Sequence, residues 1–155
     1  MNESQRVNRP GTENSPGRDD RTLVICKPDA VERGLVGEIL GRLERKGFRF
    51  IRAELRQLDK ETAATHYAEH VGKPFYDSLI AHITRSPVWL VVVEGPPGTW
   101  QVVRQMMGPT NPAQAPPGTI RGDLALSTTR NLIHGSDSAE SACREIGVFF
   151  PELLA

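Results

Sequence analysis

The chain has 155 residues, 19 of them basic and 19 acidic, so its formal net charge is zero. That length holds one domain with a proper core and excludes two. The balanced charge excludes a global field that would draw the chain to nucleic acid as a primary partner or to an anionic membrane. No apolar run approaches the length of a membrane span, and the basic-then-apolar start of a signal peptide is missing. The two cysteines, Cys26 and Cys143, lie far apart inside apolar patterns, which fits buried, reduced thiols in a cytoplasmic protein.

Residues 1–20 hold little that is apolar beyond Met1 and Val7 and are rich in Asn, Ser, Gly, Pro and mixed charge. They are expected to be a disordered tail ahead of a domain covering residues 21–155. Thr22 to Cys26 is a short β run that Pro28 stops. Val36, Ile39, Leu40 and Leu43 fall at helical spacing and end before Gly47. From Phe48 to Leu58 polar and apolar residues alternate, with a phase slip at Phe50-Ile51 that predicts a bulge. Asp59 reads as the N-cap of a helix running to about His70, and Lys73-Pro74 opens another carrying Phe75, Leu79, Ile80 and Ile83.

Val88 to Val93 is continuously apolar and predicts a central strand covered on both faces. Gly95-Pro96-Pro97-Gly98 turns into a helix through Val102, Val103, Met106 and Met107. Residues 108–130, rich in proline and glycine, read as a long loop of the kind that is either functional or disordered. Leu132-Ile133 gives a last short strand, and Asp137-Ser138-Ala139-Glu140 reads as a capping box with Asp137 as N-cap for a helix bearing Ala142, Cys143 and Ile146. The order reduces to βαββαβ: an α+β, ferredoxin-like fold with a four-stranded antiparallel sheet and helices packed on it.

The chemistry concentrates around Asn131-Leu132-Ile133-His134-Gly135-Ser136-Asp137. A strand end holds His134 rigidly, Gly135 permits a sharp turn beside it, and the following helix start attracts phosphate. A neutral imidazole beside an anion site is the arrangement that phosphoryl transfer through the protein needs. No Walker loop and no G-x-G-x-x-G is present, so side chains must hold any phosphates. The candidates are Lys27, Arg104, Thr110 and Arg121, each of which singly would be a solvated surface group. Phe75 could offer a flat platform to a base, and Tyr67 a hydrogen bond to a phosphate or to His134. His66-Tyr67-Ala68-Glu69-His70 also matches H-x-x-E-H, a zinc-protease pattern. A small domain with no third ligand in view favours a solvated helix face there.

Taken together, Arg21 to Val31, Arg33-Gly-Leu-Val-Gly-Glu-Ile, His66 to Phe75, Gly108-Pro-Thr-Asn-Pro, Pro117-Gly-Thr-Ile-Arg-Gly-Asp and Asn131 to Ala142 resemble the nucleoside diphosphate kinase family over essentially all of residues 21–155. The chain end is short, as in bacterial-type members. The resemblance implies magnesium-dependent exchange of a terminal phosphate, chiefly from ATP, between nucleoside tri- and diphosphates. It further implies a ping-pong cycle through phosphohistidine, low base selectivity and a tetrameric or hexameric homo-oligomer.

Residue by residue, it makes His134 the nucleophile, Glu145 its support and Tyr67 a partner of the phosphate and the histidine. Lys27, Arg104, Thr110 and Arg121 become the phosphate-binding groups, with Lys27 and Asn131 near the ribose and Phe75 under the base. For the metal the sequence itself leaves two arrangements open, with no direct protein ligand expected: Asp137 acting through water, or the nucleotide alone holding the ion. An interaction-only descendant of the family would not need this complete set.

Overall fold

In the computed structural model, residues 18–154 are described. Most of the expected tail lies outside them. At its end, the Asp19 carbonyl accepts from Gly98 N and Thr99 N, and the Asp20 carbonyl from Gly95 N. Four strands, β1 (Arg21–Cys26), β2 (Arg49–Arg56), β3 (Val88–Glu94) and β4 (Ile133–Gly135), form one sheet in the order β2-β3-β1-β4 with every pair antiparallel. Among the described residues, seven α-helices connect and cover them: α1 (Pro28–Glu32), α2 (Val36–Lys46), α3 (Lys60–His66), α4 (Tyr76–Thr84), α5 (Thr99–Met107), α6 (Ile120–Leu124) and α7 (Ala139–Phe149). The ferredoxin-like α+β architecture expected from the sequence is the one found. No helix among the described residues is long and apolar enough to cross a membrane.

Strand alternation divides the interior in two. Val24, Cys26, Val91 and Val93 face α2 and α5 in one core; Leu23, Ile25, Leu90 and Val92 face α3, α4 and α7 in the other. Both faces of β1 and β3 are therefore covered, which is why these strands read as unbroken apolar runs. The slip in β2 is real: its register with β3 shifts between Phe50 and Arg52. Gly47 ends α2 with φ 112°, a left-handed cap that a side chain would oppose.

Several local expectations are corrected. Asp59 caps α3 as expected, accepting from Thr62 N at 2.7 Å, but the helix stops at His66 and a 3-10 turn covers Ala68–His70. Pro28 does more than end β1: as the first residue of α1 its fixed φ starts a helix too short to show periodicity. The last strand begins at Ile133 because Asp29 Oδ2 captures Leu132 N at 2.9 Å and holds Leu132 at φ 75°. For a branched side chain that conformation costs about 1–3 kcal/mol.

The cap of α7 is Ser138, whose hydroxyl accepts from Ser141 N at 3.0 Å, so Asp137 lies one residue outside the helix and is exposed. Gly135 stays within the strand; it is needed because a Cβ there would come 2.5 Å from Met107 Sδ, not because the chain turns. Both cysteines are free, but only Cys26 is buried; Cys143 is half-buried.

The 108–130 segment is more ordered than a loop. Thr119 caps α6 through Gly122 N at 3.0 Å, and Asn111 caps a 3-10 turn at Pro112–Gln114 through Ala113 N at 3.0 Å. A Cβ at Gly122 would fall 2.0 Å from the Pro116 carbonyl oxygen, a backbone atom that cannot move alone. Gly122→Ala is expected to cost about 1–3 kcal/mol of stability, as overpacking does, read as a lower urea midpoint with an unchanged slope.

Candidate active site

His134 lies on β4 opposite Ile25 of β1. Alternation sends Ile133 into the α2/α5 core and His134 to the opposite face, toward α7. Its Nε2 meets Glu145 Oε1 of α7 in a short hydrogen bond. Glu145 is 2% exposed. Burial pushes its carboxyl upward, but His134 outweighs that and holds it below the usual carboxylate range. The carboxylate is therefore an acceptor, and Nε2 must carry the proton.

A cavity of about 510 Å³ brings together Lys27, Tyr67, Phe75, Arg104, Thr110, Arg121, Asn131 and His134. Every nucleotide-binding candidate read from the sequence lines it. Glu145 and Asp137 line a smaller, adjoining hollow of about 170 Å³ that shares Tyr67, Arg104 and His134 with it. Lys27 Nζ donates to Asn131 Oδ1 at 2.7 Å, and Asn131 Nδ2 donates to the Thr110 carbonyl at 2.9 Å. Arg104 donates to the Gly135 carbonyl at 3.0 Å, beside the histidine. Phe75, 47% exposed, presents its ring at the cavity mouth with Lys73 Nζ 5.7 Å from the centroid.

Arg121 has a second task. Its guanidinium donates to the carbonyls of Gly108, Asn131 and Ile133 at 3.0, 3.2 and 2.6 Å, bolting both ends of the 108–130 segment to β4. Burial and the neighbouring Arg104 lower its pKa to about 10. Desolvation, with Arg121 nearby, brings Lys27 down to about 8. Both cations are thus held in a low-dielectric wall where carbonyl and amide oxygens solvate them and the Asp29 carboxylate offsets burial only in part, which favours an anion. Burial, with Glu145 adding to it, raises the Tyr67 phenol well above its ordinary range, so it stays a donor.

Two site residues carried no assigned role in the sequence. Asp29 clamps Leu132 N and pairs with His82 Nε2 at 2.9 Å, fixing the chain just before His134. Burial opposes its charge, but those partners hold the carboxyl below its usual range. His66 is buried edge-on against His134, with ring centroids 4.9 Å apart, while His70 turns away to Phe75 at 5.5 Å. His66 ends α3 while Glu69 and His70 belong to the following 3-10 turn, so the histidines of H-x-x-E-H do not share one helix face, and Glu69 is exposed, although all three line one hollow. Burial drives the His66 pKa down to about 3, so it is neutral. Its signal in the sequence, one buried helical histidine, does not differ from that of a solvated one.

A sequence-family model described as nucleoside diphosphate kinase matches residues 20–154. The nucleoside diphosphate kinase of Thermomicrobium roseum is 60% identical over 133 residues, covering 86% of this chain and 89% of that protein. That of Saccharopolyspora erythraea is 57% identical over 135 residues, covering 86% and 98%. Among solved structures, a halophilic nucleoside diphosphate kinase from Halobacterium salinarum in complex with CDP superposes with a TM-score of 0.82 at 48% identity. It covers 85% of this chain and 88% of its own. A family protein from Babesia bovis gives 0.82 at 42%, covering 86% and 90%.

Lys27 loses its charge as pH rises through about 8. Inorganic triphosphate is therefore expected to bind the free protein progressively more weakly above that pH. Lys27→Met should bind about 10–100-fold more weakly at neutral pH, the worth of one charged hydrogen bond, and lose this extra pH dependence. Calorimetric titration of both proteins across the range checks it; parallel profiles would contradict it.

Proposed function

The chain belongs to the nucleoside diphosphate kinase family and is a phosphotransferase of that class, and from this premise we propose a two-stage mechanism in which His134 carries the phosphate. The observation that carries the proposal is the tie between His134 Nε2 and the buried Glu145 carboxylate, on the wall of a cavity lined by Lys27, Arg104 and Arg121. With Nε2 protonated, Nδ1 keeps its lone pair. That nitrogen attacks the terminal phosphorus in line, the bond to the bridging oxygen breaks, and the nucleoside diphosphate leaves. The ring becomes a cation next to Glu145, which stabilises it. A second nucleoside diphosphate enters the same cavity and its terminal oxygen takes the phosphoryl group back.

Lys27, Arg104 and Arg121 neutralise and align the phosphates, with Thr110 beside them and Tyr67 donating from its buried phenol. Asn131, held between Lys27 and the Thr110 carbonyl, is placed to meet the ribose hydroxyls. Phe75 stacks under the base without reading its edges, which supports low base selectivity. The residues fit magnesium that arrives with the nucleotide. No carboxylate lines the larger cavity, and Asp137 in the adjoining hollow would hold the ion through water. Bound there, magnesium would screen the phosphate charge. A homo-oligomer belongs to the same reading.

Incubation with labelled ATP is expected to leave an acid-labile phosphate on the wild-type protein and none on His134→Ala. A folded wild-type protein that takes no label would refute the mechanism. Glu145→Gln should lower kcat about a hundredfold with KM for the triphosphate nearly unchanged, since it orients the nucleophile rather than the substrate; steady-state kinetics separate the two.

A further inference from the structure

His66, from the H-x-x-E-H stretch, packs on His134 and Phe149 but has no task in the phosphotransfer reading. It is 3% exposed, and neither ring nitrogen has a hydrogen-bond partner, while the buried Glu145 carboxylate beside it faces His134 and Ser136. Buried polar atoms are nearly always paired, and each exception calls for a cause, among them strain, a catalytic role, or a place for a water or an ion. His66 Nδ1 lies 3.8 Å from Glu145 Oε1. One ligand atom from each of His66, His134 and Glu145 falls within 4.8 Å of the other two. Zinc bonded at 2.0–2.1 Å in a tetrahedron sets its ligands roughly 3.3 Å apart. Small side-chain rotations bring these three groups to that spacing, and the hollow of about 170 Å³ against them holds a fourth ligand such as water.

We infer that His66, His134 Nε2 and Glu145 form an inhibitory site for a zinc-class divalent ion, distinct from magnesium travelling with the nucleotide. Two imidazoles and one carboxylate are a zinc-type ligand set. Arg104 and Arg144 line the same hollow together with Glu69 and Asp137, so selectivity comes from the donors: two imidazole nitrogens bond zinc strongly, while magnesium prefers oxygen ligands. On binding, a metal–Nε2 bond replaces the Nε2–H hydrogen bond to Glu145. The displaced proton passes through solvent to Nδ1, so the ring keeps the same number of protons. With Nδ1 protonated, the imidazole has no free pair for phosphorus. This inhibition rests on the phosphotransfer reading above; binding of the ion does not.

Calorimetric titration of zinc chloride into the nucleotide-free full-length chain, in a non-chelating buffer, tests the site. Wild type and His70→Ala are expected to bind one ion per chain, and His66→Asn to bind at least tenfold more weakly. Equal affinity for His66→Asn, or an equal loss in His70→Ala, overturns the assignment. Nitrogen NMR of histidine-labelled wild type needs no variant. One equivalent of zinc should move the His134 proton from Nε2 to Nδ1, and an unchanged spectrum also overturns it. ATP labelling should then disappear on adding zinc under excess magnesium, and labelling that persists at saturating zinc refutes the inhibition. If the zinc-free protein takes no label, the phosphotransfer mechanism falls while the binding result stands.

Discussion

The contact between His134 Nε2 and the Glu145 carboxylate organises this molecule. A carboxylate so deeply buried would cost several kcal/mol without a partner, and His134 is the largest of the groups that answer it, with His66 and Ser136 beside it. The pairing also decides which ring nitrogen is available. To make it, β4 must present His134 on the α7 side of the sheet, and α7 must start where Ser138 caps it, so that Glu145 comes level with the ring. Ile146 and Phe149, on the same helix, bury into the core shared with α3 and α4 and fix that height.

The second constraint is the segment between α5 and β4. Arg121 gathers carbonyls from both of its ends, and Asp29 holds Leu132 in a backbone conformation it would otherwise avoid. Chain strain and buried cations are therefore concentrated around one cavity. Each is unfavourable alone, and together they hold positive charge rigid and poorly solvated at the place where phosphates would lie.

Much of this was legible in the sequence because it follows from periodicity. The unbroken apolar run at Val88–Val93 comes from coverage on both faces, and the slip at Phe50-Ile51 comes from a bulge. The nucleotide-binding candidates were legible because short stretches of unusual composition flank them, and all of them meet in one cavity. What escaped depends on contacts distant in sequence or on very short elements. α1 and α6, of five residues each, show no period. Asp137 and Ser138 are both good caps, and only the extended backbone at Ser138 decides between them. The need for Gly135 lies in Met107, and the burial of His66 lies in α7; neither leaves a trace in its neighbours.

The nitrogen that accepts the phosphate tests the central claim most directly. Protein labelled with nitrogen-15 in its histidines, phosphorylated with ATP and observed by nitrogen and phosphorus NMR, should show phosphorus bonded to Nδ1 of His134, with a proton on Nε2. Phosphorus on Nε2 would mean that Glu145 does not hold that nitrogen during the reaction, and the account would be wrong at its base.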